Sequence, residues 1–327
     1  MIILWHVCKT YPNGVKAVDD LSIEIAEGET LVLLGTSGSG KTTTMKMINR
    51  LIETTSGEIL IDGRDIRRQD PIQLRRKIGY AIQHIGLFPH MTVAENIAVV
   101  PKLLGWAVGR IDKQITALLT MVGLEHGEFR DRYPVQLSGG QRQRVGVART
   151  LAADPPIILM DEPFGALDPI TREQLQNEFI ELQSEIKKTI IFVTHDVFEA
   201  VKMGDRIALI DSGRLQQLDT PGKLVESPAN SFVAQFLGQH RFQLSLLTMT
   251  VKAIMPKMNE EVPSPDESVP SPHLRARSSM IEALDMFKET KEVTLPVYEQ
   301  KQYIGNLEKS RLIEAITQVL GQSGDSQ

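Results

Sequence analysis

The chain has 327 residues, 36 basic against 41 acidic, with a formal net charge of −5. That length accommodates one large α/β domain and a smaller one, and the absence of a strongly basic patch argues against a nucleic-acid partner. A single cysteine, Cys8, excludes an intrachain disulfide and a cysteine-cluster metal site. The start, Met1 to His6, lacks the basic and apolar regions of a signal peptide, and the most apolar window, Ile97 to Val108, is broken by Pro101 and Lys102 and is too short to span a bilayer. The expectation is a soluble, cytosolic chain whose membrane role, if any, runs through a partner.

Residues 2 to 34 read as β-rich, with partial alternation at Val15, Ala17, Leu21, Ile23 and Ile25. Tyr11, beside Pro12-Asn13-Gly14, has two readings from spacing: a turn aromatic packed on the sheet, which is favoured, or a platform for a nucleobase. Leu31-Val32-Leu33-Leu34 is a buried strand. It runs into Gly35-Thr36-Ser37-Gly38-Ser39-Gly40-Lys41-Thr42, which fits the phosphate-loop pattern G-x-x-x-x-G-K-[ST], and then into a helix from Thr43 to Leu51 with Met45, Ile48 and Leu51 on one face. Glycines let successive backbone N–H groups turn toward a triphosphate, and the following helix adds its positive end. Lys41 would reach the β- and γ-phosphates, and the Thr42 hydroxyl would ligate Mg²⁺.

Further on, Glu58 to Ile61 and Ile78 to Ile82 read as strands, and Gln83 leaves the second where a ligand at the carboxyl edge of a parallel sheet would sit. From Met91 to about Asp154 the pattern is helical, with Leu118, Leu119, Val122 and Leu124 on an apolar face. Within it stands Leu137-Ser138-Gly139-Gly140-Gln141, where Ser138 can cap a helix whose open amides make a second anion site. Ile157 to Met160 is an apolar strand delivering Asp161 and Glu162; a phosphate loop needs an acidic Mg²⁺ partner, and such a strand end supplies one. Gly165-Ala166-Leu167-Asp168-Pro169 is a turn before a helix from Thr171 to about Lys187. Thr189 to Val193 is the next strand, followed by Thr194-His195-Asp196, and Arg206 to Leu218 forms a hairpin.

Taken together and in this order, the phosphate loop, Gln83, Leu137 to Gln141, Asp161-Glu162, Ala166-Leu167-Asp168 and His195 resemble an ABC-transporter nucleotide-binding domain over residues 1 to about 238. The resemblance implies a P-loop NTPase fold with a mixed sheet core, an antiparallel β subdomain and a helical insertion at about 91–154. It makes Tyr11 the aromatic that stacks on adenine, Gln83 the residue that senses Mg²⁺ or water, Asp168 the D-loop acid and His195 the switch histidine. ATP would lie on Gly35, Ser37, Gly38, Ser39, Gly40, Lys41, Thr42 and Thr43, with Mg²⁺ on Thr42, Gln83 and Asp161. Ser138, Gly139, Gly140 and Gln141 of a second copy would cap the γ-phosphate in a head-to-tail homodimer, and Glu162 would polarise the attacking water.

A narrower likeness rests on Ile85 to Asn96, Val100 to Trp106 and Asp161 to Arg172, which resemble the ATPase subunits of bacterial importers for glycine betaine, carnitine, choline or proline. It implies ATP-driven uptake through an integral-membrane permease docked near Ile85–Phe88, fed indirectly by a substrate-binding protein, at the cytoplasmic face of the plasma membrane. His84 stands where glutamine is expected. The alternatives are an ABC ATPase for another solute, an exporter subunit, or a soluble non-transport ABC ATPase. After Gly238 the composition shifts. Residues 239–277 read as linker and the start of a C-terminal piece, with Pro, Ser and acidic residues dense over 259–272. Residues 278–322, with a helix whose apolar face is Ile281, Leu284 and Phe287, resemble a small α+β CBS-like regulatory domain; a ligand site and a dimerising spacer both remain open.

Overall fold

The computed structural model describes residues 1–81, 86–165, 167–255, 271–299 and 302–324. They form two compact units, Met1–Leu218 and Asp219–Gln327. The sequence reading put the boundary at about 238; α9 and α10, defined below, group instead with the second unit. Gln83, His84 and Ile85, Ala166 and residues 256–270 of the expected linker lie outside the described residues.

The first unit contains, in order, β1 (Ile2–Thr10), β2 (Lys16–Ile25), β3 (Thr30–Leu34), α1 (Lys41–Ile48), β4 (Ser56–Ile61), β5 (Arg64–Asp65), α2 (Pro71–Arg76) and β6 (Ile78–Ala81). There follow α3 (Val93–Leu103), α4 (Val108–Met121), α5 (His126–Phe129), α6 (Gly139–Leu151), β7 (Ile157–Asp161), α7 (Pro169–Ile186), β8 (Thr189–Thr194), α8 (Val197–Met203), β9 (Arg206–Asp211) and β10 (Arg214–Asp219), whose last residue opens the second unit. One sheet has strand order β2-β1-β4-β5 with antiparallel pairs, and the other has order β10-β9-β3-β8-β7-β6 with β9, β3, β8, β7 and β6 paired parallel. Strands β3, β7 and β8 are buried at every position, as expected of apolar runs in a covered parallel sheet. A core that includes Ile2, Leu4, Leu31, Leu33, Met45, Leu159 and Ile191 joins the two sheets across α1.

Two local departures from the sequence pattern have steric causes. On β2 the buried residues are Val18, Leu21, Ile23 and Ile25, whereas Val15 is exposed. Asp20 adopts the left-handed conformation (φ 59°), and the β1–β2 register shifts between Val7 and Lys9, so the inward face changes parity across this irregularity. Opposite it, His6 is also left-handed (φ 48°), and a Cβ on Gly57 would lie 2.2 Å from the His6 carbonyl oxygen. Leu51, expected on the buried face of α1, is exposed because that helix already ends at Ile48.

The helical insertion is pinned at its start by a buried amide. Asn96 accepts from Phe88 N (2.8 Å) and donates to the carbonyls of Phe88 (3.1 Å), Met91 (3.1 Å) and Thr92 (2.9 Å), which fixes the turn preceding α3. The α3 helix opens with a capping box between Thr92 and Glu95. Leu118, Leu119, Val122 and Leu124 are buried, as their spacing predicts.

The second unit holds α9 (Pro221–Glu226), α10 (Ser231–Leu237), α11 (Arg241–Thr248), α12 (Val251–Ile254), β11 (Leu274–Arg275), α13 (Met280–Thr290), β12 (Thr294–Glu299), β13 (Gln302–Glu308) and α14 (Lys309–Gly324). Its three-stranded sheet pairs β11 parallel and β13 antiparallel to β12. The α13 helix buries Phe287, as expected, together with Met280 and Ala283, whereas Ile281 is half-buried and Leu284 exposed. The helix opens with a capping box between Ser279 and Glu282, and its buried residues Met280, Ala283 and Phe287 follow the i, i+3, i+7 spacing of one face.

Candidate nucleotide site

The parallel register gathers the site. Leu34 pairs with Thr194 and Asp161 pairs with Val193, so the carboxyl ends of β3, β7 and β8 deliver the phosphate loop, the acidic pair and His195 to one edge. This is where open α/β sheets bind ligands.

Within the loop, glycines at 35 and 40 are required by contact. A Cβ on Gly35 (φ 154°) would lie 2.1 Å from Ile210 O, and one on Gly40 (φ 103°) 2.3 Å from Ala17 O. Gly38 (φ 79°) meets nothing within 4 Å, so its side leaves room for a ligand to approach the backbone. Ser37 and Gly38 are exposed at the tip, whereas Ser39 and Lys41 are buried. Lys41 Nζ donates to Gly35 O (2.8 Å), Thr36 O (2.6 Å) and Ser39 Oγ (3.3 Å). Burial pulls its ammonium below the usual lysine range, opposed by the negative charges of Glu162 and Asp161. A buried cation at the mouth of a glycine loop fits the anionic tail of a nucleotide.

The Thr42 hydroxyl donates to Asp161 Oδ1 at 3.0 Å. A hydroxyl and a carboxylate, both oxygen donors, fit Mg²⁺, which is held through one or two protein oxygens while phosphates complete its shell. Burial pushes the Asp161 carboxyl above the usual carboxylate range, with the Thr42 hydrogen bond opposing and Glu162 adding to the rise. A raised folded-state pKa means stability that is fully present below the unfolded value, 3.8, and lost as pH rises through the folded value. At neutral pH the charged Asp161 therefore costs stability in the nucleotide-free protein. Asp161→Asn is expected to raise its melting temperature at pH 7 by about 2–4 °C, with the gain shrinking as pH falls, while removing Mg²⁺-dependent hydrolysis. Melting scans across pH, paired with an ATPase assay, check both halves.

Glu162 adopts a left-handed backbone (φ 47°), and its N–H donates to Val193 O at 3.0 Å. Its Oε1 lies 3.1 Å from Nδ1 of the exposed His195 ring, which donates to it. Tyr11 stands beside the loop helix, its hydroxyl 3.5 Å from Thr43 Oγ1 and the Lys9 ammonium 5.5 Å from its ring centroid. Tyr11, the phosphate loop, Asp161, Glu162 and His195 thus converge.

Ser138 to Gln141 are engaged elsewhere. Ser138 Oγ accepts from Gln141 N at 3.2 Å, and Gln141 Oε1 accepts from Ser138 N at 2.9 Å. A Cβ on Gly140 would lie 3.3 Å from Thr171 and 3.5 Å from Leu167, so this turn packs on the segment carrying Asp168. Asp168 caps α7 by accepting from Thr171 N at 3.0 Å. Beside β6 lies a cavity of about 370 Å³ whose walls include Tyr80, Gly86, Phe88, Val99, Val100 and Arg149; Arg149 donates to Gly86 O at 2.7 Å. Sequence reasoning named Ile85 to Phe88 for a permease groove; of these, Ile85 lies outside the described residues and Gly86 and Phe88 line this cavity.

Residues 18–165 match the family model for the ABC transporter. The glycine betaine/carnitine/choline transport ATP-binding protein OpuCA of Bacillus subtilis is 56% identical over 241 residues, 74% of this chain and 63% of its own length. The chain therefore spans less than two thirds of that relative. The glycine betaine uptake system ATP-binding protein YehX of Escherichia coli is 52% identical over 249 residues, 76% of this chain and 80% of its own. The ATP-binding cassette MJ0796, solved as a dimer in a post-hydrolysis state bound to ADP and Pi, superposes with a TM-score of 0.62 at 37% identity, over 67% of this chain and 98% of its own. The loop, strand ends and histidine that meet at one sheet edge are thus part of a shared cassette, and the chain belongs to the ABC transporter ATP-binding family.

Proposed function

We propose that the chain is the ATP-hydrolysing subunit of an importer for a quaternary ammonium osmolyte (glycine betaine, carnitine or choline) or for proline. The observation that carries this reading is the 52% identity to a glycine betaine uptake ATP-binding protein across 80% of that protein's length.

The mechanism follows from charge. ATP brings about four negative charges, which the loop amides, Lys41 and the helix end of α1 hold from one side. Tyr11 stacks on the base. Thr42 and Asp161, with Gln83, would hold Mg²⁺, which supplies charge neutralisation at the phosphates. Glu162, with His195 on its Oε1, orients and polarises water for in-line attack, and the His195 ring stabilises charge that develops on the γ-phosphoryl group. Ser138 to Gln141 of a second copy close the site, so that ATP joins two chains and hydrolysis lets them part. No helix among the described residues is long and apolar enough to cross a membrane; a permease segment docked in the groove by Phe88 and Val100 would hold the subunit at the cytoplasmic face. The unit after Leu218, with its CBS-like order of helix and strand, would regulate or dimerise.

The test is ATPase activity of the full chain reconstituted with its permease and binding protein, with each of the four solutes at low and high salt. Stimulation by one of them is expected. Indifference to all four, with hydrolysis intact, would leave an ABC ATPase for another cargo.

A further inference from the structure

Behind the site, two buried polar side chains join the elements that carry His195 and Asp168. Glu199 on α8 and Gln176 on α7 are each 7% exposed, and Gln176 Nε2 donates to Glu199 Oε1 at 3.0 Å. Burying a carboxyl in this way costs free energy unless the group is well bonded, and the proposed hydrolysis uses neither residue. From Glu199 one line of bonds runs to the histidine. Glu199 N donates to Asp196 Oδ1 at 3.2 Å, and Thr194 Oγ1 accepts from Asp196 N at 3.0 Å, closing the turn that has His195 at its centre; the Thr194 hydroxyl also favours the ionised Glu199 carboxyl. The other line runs through Gln176 down α7 to Arg172, whose Nη2 donates to Leu167 O at 3.1 Å, next to Asp168. Arg172 Nε is buried without a hydrogen-bond partner among the described residues, and its positive charge favours the ionised form of Glu199. On the same face of α7, three residues beyond Gln176, Phe179 meets Phe164 in the turn after Glu162, and Phe164 meets Phe192 on β8.

We propose that Glu199 is a positioning residue that ties the turn bearing Asp168 to the turn bearing His195, so that a shift of one is felt by the other. The proposal rests on the reading of His195 as the histidine at the γ-phosphate. It assigns Glu199 no contact with ATP.

The test uses the full chain in steady-state ATP hydrolysis. Glu199→Leu removes the bond from Gln176 and the carboxyl beside Thr194 while refilling the volume. Turnover is expected to fall about tenfold with KM for ATP within about twofold of wild type, and Glu199→Gln, which keeps an acceptor for Gln176, restores most of the rate. In a His195→Ala background the Glu199→Leu step costs less than about twofold, because the two residues act in series. Melting temperature is the second readout: leucine leaves the buried Gln176 amide without its acceptor and is expected to lower it somewhat, and the Glu199→Leu/Gln176→Leu double variant, which removes both partners, restores stability without restoring rate. If the leucine variant does not fold, Gln176→Leu reads the same link from α7. Full activity of Glu199→Leu with a wild type that hydrolyses ATP, or a loss that multiplies with that of His195→Ala, overturns this proposal alone. A wild-type chain without hydrolysis overturns it together with the ATPase reading.

Discussion

Glu162→Gln is expected to lower turnover about a thousandfold while ATP still binds and the two-chain closed form accumulates. The carboxylate is the group that polarises water, and glutamine keeps its size and an acceptor oxygen for His195 Nδ1, now at 3.1 Å from Oε1. It removes the negative charge. The loop and Lys41, which bind ATP on this reading, lie on another strand end and are untouched. Phosphate release measures the first half, and size-exclusion chromatography with ATP the second. Fast hydrolysis retained in the variant would remove Glu162 from the mechanism.

Lys41→Ala acts earlier, at binding. Its ammonium satisfies the Gly35 and Thr36 carbonyls and the Ser39 hydroxyl. Without it, two carbonyl oxygens would face phosphate oxygens with no cation between them. Affinity for ATP is expected to drop about a hundredfold, close to 3 kcal/mol. The nucleotide-free protein should lose little stability, since the deleted charge is one that burial already disfavours. Equilibrium titration with a fluorescent ATP analogue and a melting scan separate the two.

Much of this site was legible because its signals are local. A glycine loop between an apolar strand and a helix, or an acidic pair after Ile157 to Met160, declares itself within a dozen residues, and the parallel register of β3, β7 and β8 then brings the pieces together. Tyr11 was ambiguous from spacing, since nothing local says that a turn aromatic stands beside Thr43. The strand parity at Val18 escaped because one left-handed residue, Asp20, resets an alternation that spacing assumes to be continuous. Glu199 and Gln176 escaped for a different reason. They are ordinary helix residues whose meaning lies in a pairing across 23 positions of sequence.

The left-handed backbone at Glu162 has an evolutionary consequence. A non-glycine residue in that conformation carries strain of about 1–3 kcal/mol, and glycine would relieve it with no change to the strand beneath. Folding alone therefore favours losing the carboxylate, and on the proposed mechanism turnover is what it is kept for. In a lineage released from transport, position 162 is among the first where drift would find a more stable chain.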